Sequence, residues 1–130
     1  MVSGGNKPQR RLPPDFYERV WSVVREIPPG RVTSYGLIAR FLGTGSSARI
    51  VGYAMNAVAN RKDIPAHRVV NRIGLLTGKF HFETPETMQK RLKSEGVRFI
   101  NEDQVDWDAH RWDPMEALPR EFRDQLSIPH

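Results

Sequence analysis

The chain has 130 residues, 20 Lys+Arg against 15 Asp+Glu for a formal net charge of +5, and no cysteine. This length fits one domain with at most a short extension, and the lack of cysteine excludes disulfides, thiolate metal sites and every cysteine-dependent covalent step. No apolar run approaches the ~18–20 residues a membrane-spanning helix needs, so a cytoplasmic protein with no membrane association is expected.

The charge is unevenly spread. Residues 1–100 carry 17 Lys+Arg and 7 Asp+Glu, whereas residues 101–130 carry 3 and 8. A basic body fits a polyanionic partner, because each phosphate it neutralises releases counterions. A solvated basic surface has the same composition, so charge alone leaves both readings open.

Residues 1–12 read as a flexible leader, since no apolar segment follows their basic residues as a secretory signal would require. In residues 14–27, "PDFYERVWSVVREI", Phe16, Val20, Val23, Val24 and Ile27 fall on one helical stripe that Trp21 widens. Pro14 suits the first turn and "PPG" at 28–30 stops the helix. "VTSYGLIARFLG" predicts a second helix with Thr33 as N-cap, Leu37, Ile38, Phe41 and Leu42 inward, and Gly43 as its stop. "TGSS" then makes a tight connection. Ser46 or Ser47 caps "ARIVGYAMNAVA", with Val51, Ala54, Met55 and Val58 inward. Two short helices joined this way suggest a helix-turn-helix, a pattern that many small helical domains share.

After the loop "NRKDIPAH", "RVVNRIGLL" predicts two short β segments about an Asn-Arg-Ile-Gly turn, a wing behind the helical pair. "TPETMQKRLKSEG" predicts a helix capped by Thr84, with Pro85 at its first position and Gly96 closing it. "VRFINEDQVDW" reads as extended, and residues 113–130 as an acidic, Pro-interrupted extension with a short helix broken at Pro119. That extension reads as a solvated tail or as a face toward a partner. The elements predict a mainly α fold over residues 13–112, winged helix-turn-helix-like with a small β wing; the pattern alone leaves open whether it binds DNA.

Little here supports catalysis. His67 is a candidate base, but its neighbour Ala66 offers no nucleophile, and Ser34, Ser46 and Ser47 stand at helix starts, where capping is their expected work. The histidines at 67, 81, 110 and 130 lack zinc-motif spacing, and "GTGSS" lacks the lysine of a phosphate loop, so neither metal nor cofactor is expected. The outer face of the second short helix is more telling. Ser47, Ala48, Gly52 and Asn56 are small or short, with Arg49, Ile50 and Tyr53 among them. Such a face lets a helix backbone approach a narrow groove while one arginine enters the base stack. Alternatively, Gly52 permits close helix–helix packing and Arg49 is solvated.

Three segments, "RVTSYGLIA", "ARIVGYAM" and "IPAHRVVNRIG", resemble in order and spacing the DNA-binding domain of O6-alkylguanine-DNA alkyltransferases. That family's signature is Pro-Cys-His-Arg-Val, and Ala66 stands where its alkyl-accepting cysteine would be. The chain therefore looks like an alkyltransferase-like protein, the branch that lacks the cysteine; the match runs from about residue 15 to 112, through "KSEGV" and "VDWDAHRW". The resemblance implies that Arg49 fills the gap left by an extruded nucleotide and that Tyr35 crowds the 3′ phosphate. Ser34, Ser47, Ala48 and Gly52 would join them on the DNA side. Pro65, Ala66, His67, Arg68 and Val69 would line or support a lesion pocket, with Glu95 bonded to His67. The asparagine usual before the motif falls near Val58, and "LTGKFHF" at 76–82 departs from the family pattern.

The implied partners are double-stranded DNA carrying O6-alkylguanine and the damage-recognition proteins of nucleotide excision repair. The chain would act as a monomer without enzymatic activity, cytoplasmic and associated with the nucleoid through DNA. Three alternatives remain: a winged-helix regulator that reads sequence, an alkyltransferase inactivated by Cys-to-Ala replacement, and a hydrolase in which His67 and Glu95 activate water.

Overall fold

The structure, a computed structural model, describes residues 12–129; the expected leader lies outside them except for Leu12, which packs against the core. The fold is mainly helical. Helix α1 (Phe16–Val24) buries Phe16, Val20, Val23 and Val24, each at most 3% exposed. It is shorter than its apolar stripe. Pro14 lies in the preceding turn, and Ile27, 1% exposed, is buried from a turn after the helix, with its N–H on the Val24 carbonyl at 3.1 Å. Burial continues after the helical hydrogen bonds stop, so the periodic signal overruns the element.

Strand β1 (Thr33–Ser34) runs directly into helix α2 (Tyr35–Phe41). Ser34, not Thr33, caps that helix, accepting from the Leu37 N–H at 3.1 Å. Thr33 is drawn into β1 instead by parallel pairing with strand β2 (Val69–Val70). Helix α2 packs on helix α3 (Ala48–Asn56); α2 buries Ile38, Ala39 and Phe41 and α3 buries Val51, Ala54 and Met55, while Leu37 stays half-buried. Between them Gly43 has φ +80°, and a Cβ there would meet the Ile128 carbonyl oxygen at 2.8 Å, so glycine is required twice over. Ser47 holds the N-cap position of α3 without a side-chain cap bond. Trp21 ties α1 to α3, its indole N–H donating to the Ala54 carbonyl at 2.9 Å.

The turn at 71–74 forms as expected, with the Asn71 side chain accepting from the Ile73 and Leu75 N–H groups. Its flanks find other partners, however. Val69–Val70 pairs with β1, and Leu75 bridges to Gln104. The antiparallel pair lies further on, where β3 (Phe99–Asn101) faces β4 (Gln104–Val105). Helix α4 (Thr87–Ser94) begins later than expected; Thr84 sits outside it, its hydroxyl 2.9 Å from that of Thr87.

The acidic end folds back rather than trailing in solvent. Helices α5 (Trp107–His110), α6 (Pro114–Ala117) and α7 (Arg120–Leu126) return the chain to α2. The Ile128 N–H donates to the Leu42 carbonyl at 2.8 Å, Arg123 Nε to the Phe41 carbonyl at 3.1 Å, and Arg19 to that of Leu126 at 3.0 Å. Ile128 itself is 8% exposed. Among the described residues no helix is long and apolar enough to cross a membrane.

Candidate nucleic-acid interface

The outward face of α3 borders an open groove of about 230 Å³ lined by Tyr35, Ala48, Arg49, Gly52, Tyr53, Asn56, Thr77, Gly78 and His81. Four expected contact residues, Tyr35, Ala48, Arg49 and Gly52, therefore meet on one surface. Arg49 is exposed and has no ion-pair partner among the described residues. Gly52 separates the two readings of its small size. A Cβ there would touch only the Tyr35 ring, at 3.9 Å, an ordinary contact, so no internal packing requires glycine. A mid-helix glycine costs roughly 0.5–1 kcal/mol relative to alanine, and here the space it leaves faces outward. Ser34 does not reach the groove: it is 3% exposed and its hydroxyl is committed to the α2 cap. Half-buried Ser47 does not line the groove either.

Tyr35 stands at the groove's inner edge, its hydroxyl 3.4 Å from that of Thr77. Burial pushes its pKa up, against the smaller opposing effect of the Thr77 bond, so the phenol stays protonated and able to donate. Behind it lies a small cavity lined by Tyr35, Met55, Asn56, Ala59, Ala66, Val69, Gly78, Phe82 and Met88. Groove and cavity share Tyr35, Asn56 and Gly78. The cavity holds about 10 Å³, barely room for a water. Ala66, 4% exposed, presents a methyl group to it.

The expected pocket residues divide. Ala66 and Val69 line this cavity, but Pro65, His67 and Arg68 do not. The 3₁₀ turn Ala66–Arg68 sends them to a separate basic cavity shared with Arg25, Arg61, Lys62, Ile64 and Arg91. Glu95 fixes that turn. It accepts from Arg68 Nε at 3.0 Å and Nη2 at 2.6 Å, from His67 Nε2 at 2.8 Å, and from the Gly30 N–H at 3.4 Å. Arg68 Nη1 donates in addition to the Ile27 carbonyl at 2.8 Å. One carboxylate thus joins the loop after α1, the 3₁₀ turn and the end of α4.

Burial pushes the Glu95 carboxyl up, but the hydrogen bonds and charges of Arg68 and His67 together outweigh it and hold the group at about 2. Burial lowers the pKa of His67 despite the Glu95 bond, so the ring is neutral at pH 7. A carboxylate only accepts, so Nε2 carries the proton. Nδ1 is buried with no hydrogen-bond partner among the described residues. The arrangement holds a loop rigidly and places no nucleophile beside the imidazole. Among the described residues no cluster of His, Asp or Glu would hold a metal ion.

Sequence reasoning missed Met55, Asn56, Ala59, Gly78, Phe82 and Met88 as cavity walls. Met55, Ala59 and Met88 are ordinary core residues by pattern, whereas Gly78 and Phe82 belong to the loop that departs from the family sequence. The position of the family's asparagine, Val58, is 2% exposed in the core.

Comparison with known proteins shows the family and the fold. Residues 15–97 match the family model described as 6-O-methylguanine DNA methyltransferase, DNA binding domain. The chain is similar to a DNA base-flipping protein of Escherichia coli, 39% identical over 101 residues that make up 75% of this chain and 74% of that one. It is similar to alkyltransferase-like protein 1 of Schizosaccharomyces pombe, 35% identical over 104 residues covering 77% and 96%. Its fold superposes on the crystal structure of S. pombe Atl1 in complex with damaged DNA containing O6-carboxymethylguanine, with a TM-score of 0.67, 34% identity, and coverage of 81% of this chain and 100% of that one.

Proposed function

This chain belongs to the family of 6-O-methylguanine DNA methyltransferase DNA-binding domains, and from that premise we propose that it is a non-enzymatic sensor of O6-alkylguanine in double-stranded DNA. It acts as a monomer: the outer face of α3 enters the minor groove, the damaged base rotates out past Tyr35, and the complex is passed to nucleotide excision repair proteins. The observation that carries this reading is the junction of groove and cavity at Tyr35, with the methyl group of Ala66 where the family places its alkyl acceptor.

Each step has a physical basis. Extruding a base costs a few kcal/mol of stacking and pairing, less for an O6-alkylated guanine that pairs poorly. Arg49 offsets part of the rest by stacking into the vacated position. Gly52 and Ala48 let the α3 backbone come close enough for that arginine to reach. A purine enters the cavity only if the segment carrying Gly78 and Phe82 moves aside. The apolar wall of Met55, Ala59, Val69, Phe82 and Met88 then favours an alkylated O6 over a bare one. Ala66 accepts no alkyl group, so the DNA leaves chemically unchanged. Small side chains on α3 also weigh against a sequence-reading regulator, which needs polar groups in the major groove.

The test places 2-aminopurine beside O6-methylguanine in a duplex. Wild-type protein raises its fluorescence as the neighbouring base unstacks, Arg49→Ala gives little rise at equal occupancy, and the recovered DNA retains its methyl group. Equal fluorescence with both proteins, or loss of the methyl group, contradicts the reading.

A further inference from the structure

The basic cavity that receives Pro65, His67 and Arg68 is not explained by the lesion site. It measures about 430 Å³ and is lined by Arg25, Arg61, Lys62, Ile64, Pro65, His67, Arg68 and Arg91, with no carboxylate among them. A second cavity of about 370 Å³ continues it, sharing Arg25 and Arg61 and adding Glu18, Trp21 and Ser22. Together they form a cleft on a different side of the 64–67 segment from Ala66.

Local acids neutralise only part of this charge: Arg25, Arg61, Lys62, Arg68 and Arg91 face Asp63, Glu83, Glu95 and, in the second cavity, Glu18. Glu95 is bonded to Arg68 on both oxygens. Asp63 is chelated by Arg61 and lies 3.9 Å from Arg25, so one carboxylate serves two guanidinium groups. Arg91 reaches Glu83 at 3.7 Å, where Glu83 is 67% exposed. Lys62 is exposed and has no ion-pair partner among the described residues. Arg25, Lys62 and Arg91 thus project more charge into the cleft than the fold cancels. Like charges gathered around one cavity oppose folding, and an anion relieves that repulsion.

Chemistry identifies the anion. The cleft begins beside Trp21, whose indole N–H holds the Ala54 carbonyl of α3, and it shares no lining residue with the groove on that helix's outer face. Guanidinium forks and a free ammonium suit phosphodiester oxygens. Building on the reading of this chain as a DNA binder, we propose that the cleft is a second backbone site, holding phosphates of the same DNA molecule beyond its contact with α3. A duplex bent around the chain reaches it; a duplex too short to extend past α3 does not.

The test measures the slope of log K against log salt for an O6-methylguanine duplex of about one helical turn, ~10 bp, and for one about three turns long. Three proteins are compared: wild type, a cleft triple variant (Arg25→Gln, Lys62→Gln, Arg91→Gln), and a control triple variant (Lys90→Gln, Lys93→Gln, Arg98→Gln) that removes the same charge from exposed positions outside the cleft. Each neutralised phosphate contributes about 0.9 to the slope. On the long duplex the cleft variant loses about 2–3 of slope relative to wild type and the control variant less than about 1; on the short duplex the two variants agree. Equal slopes for both variants on the long duplex overturn the proposal, even if the cleft captures an acidic peptide. A deficit as large on the short duplex also overturns it, because the site then serves separate DNA or acts only through overall charge. If wild type binds neither duplex, the proposed function fails as well, an outcome distinct from a failure of the cleft alone.

Discussion

Glu95→Gln removes one negative charge from the junction of the loop after α1, the 3₁₀ turn and the end of α4 while keeping the shape of the side chain. The Glu95 carboxyl titrates at about 2 in the fold against an ordinary 4.5, and at 1.4 kcal/mol per tenfold this contributes about 3 kcal/mol of stability at neutral pH. The side chain is 16% exposed and Arg68 14%, so solvent screens the pair little, and the figure agrees with the roughly 3–5 kcal/mol lost when one partner of a buried pair is removed. Because the folded pKa is depressed, the contribution is fully present above pH 4.5 and is lost as pH falls through about 2. Glutamine cannot carry it at any pH.

Urea denaturation of both proteins at pH 7 and pH 3 therefore gives a gap of about 3 kcal/mol that shrinks to roughly half in acid. His67, whose pKa burial holds below 6.5 while the Glu95 bond partly offsets that lowering, adds an acid-side loss that is larger in the variant, so both proteins carry His67→Asn and the difference isolates Glu95. Equal stability at pH 7, or a gap that does not change with pH, refutes the assignment of Glu95 as a charged hub.

Two further substitutions separate stability from function. Gly52→Ala adds a methyl group with only a 3.9 Å neighbour, so it raises stability through helix propensity, by up to about 1 kcal/mol, and the thermal midpoint with it, yet weakens DNA binding because the α3 backbone is held off the groove; calorimetry and a DNA titration on one preparation check both signs. Ala66→Trp overfills a cavity of about 10 Å³, costs about 1–3 kcal/mol, and narrows the range of O6 substituents bound, seen by comparing methyl with bulkier alkyl groups in both proteins; the same size dependence in both contradicts a pocket at Ala66.

The helix-turn-helix was legible because its helices are amphipathic over short range: Ile38, Phe41 and Leu42, and Val51, Ala54 and Met55, are buried as their spacing demands. What failed to show depended on distant partners. Thr33 and Ser34 are both good caps, and only pairing with Val69 and Val70 assigns Thr33 to a strand. That same pairing removes Val69 and Val70 from the expected hairpin. The acidic end looks solvated by composition, because its many charges hide a few apolar anchors, Pro114, Phe122 and Ile128.

At the site, the motif around Ala66 marked the right turn. The 3₁₀ geometry that sends Ala66 one way and Pro65 and His67 another is a three-dimensional fact with no sequence signal. The basic residues of the cleft were visible only as net charge, since Arg25, Lys62 and Arg91 come from three separate parts of the chain.

The central claim, that this chain recognises a lesion without reacting with it, is tested most directly by paired titrations of one duplex carrying a single O6-alkylguanine and its undamaged twin, at two salt concentrations. The account predicts tighter binding to the lesion duplex at both. The preference should persist as salt weakens the phosphate contacts common to both duplexes, with the alkyl group still on the guanine afterwards. Equal affinity for the two duplexes at both salt concentrations contradicts it.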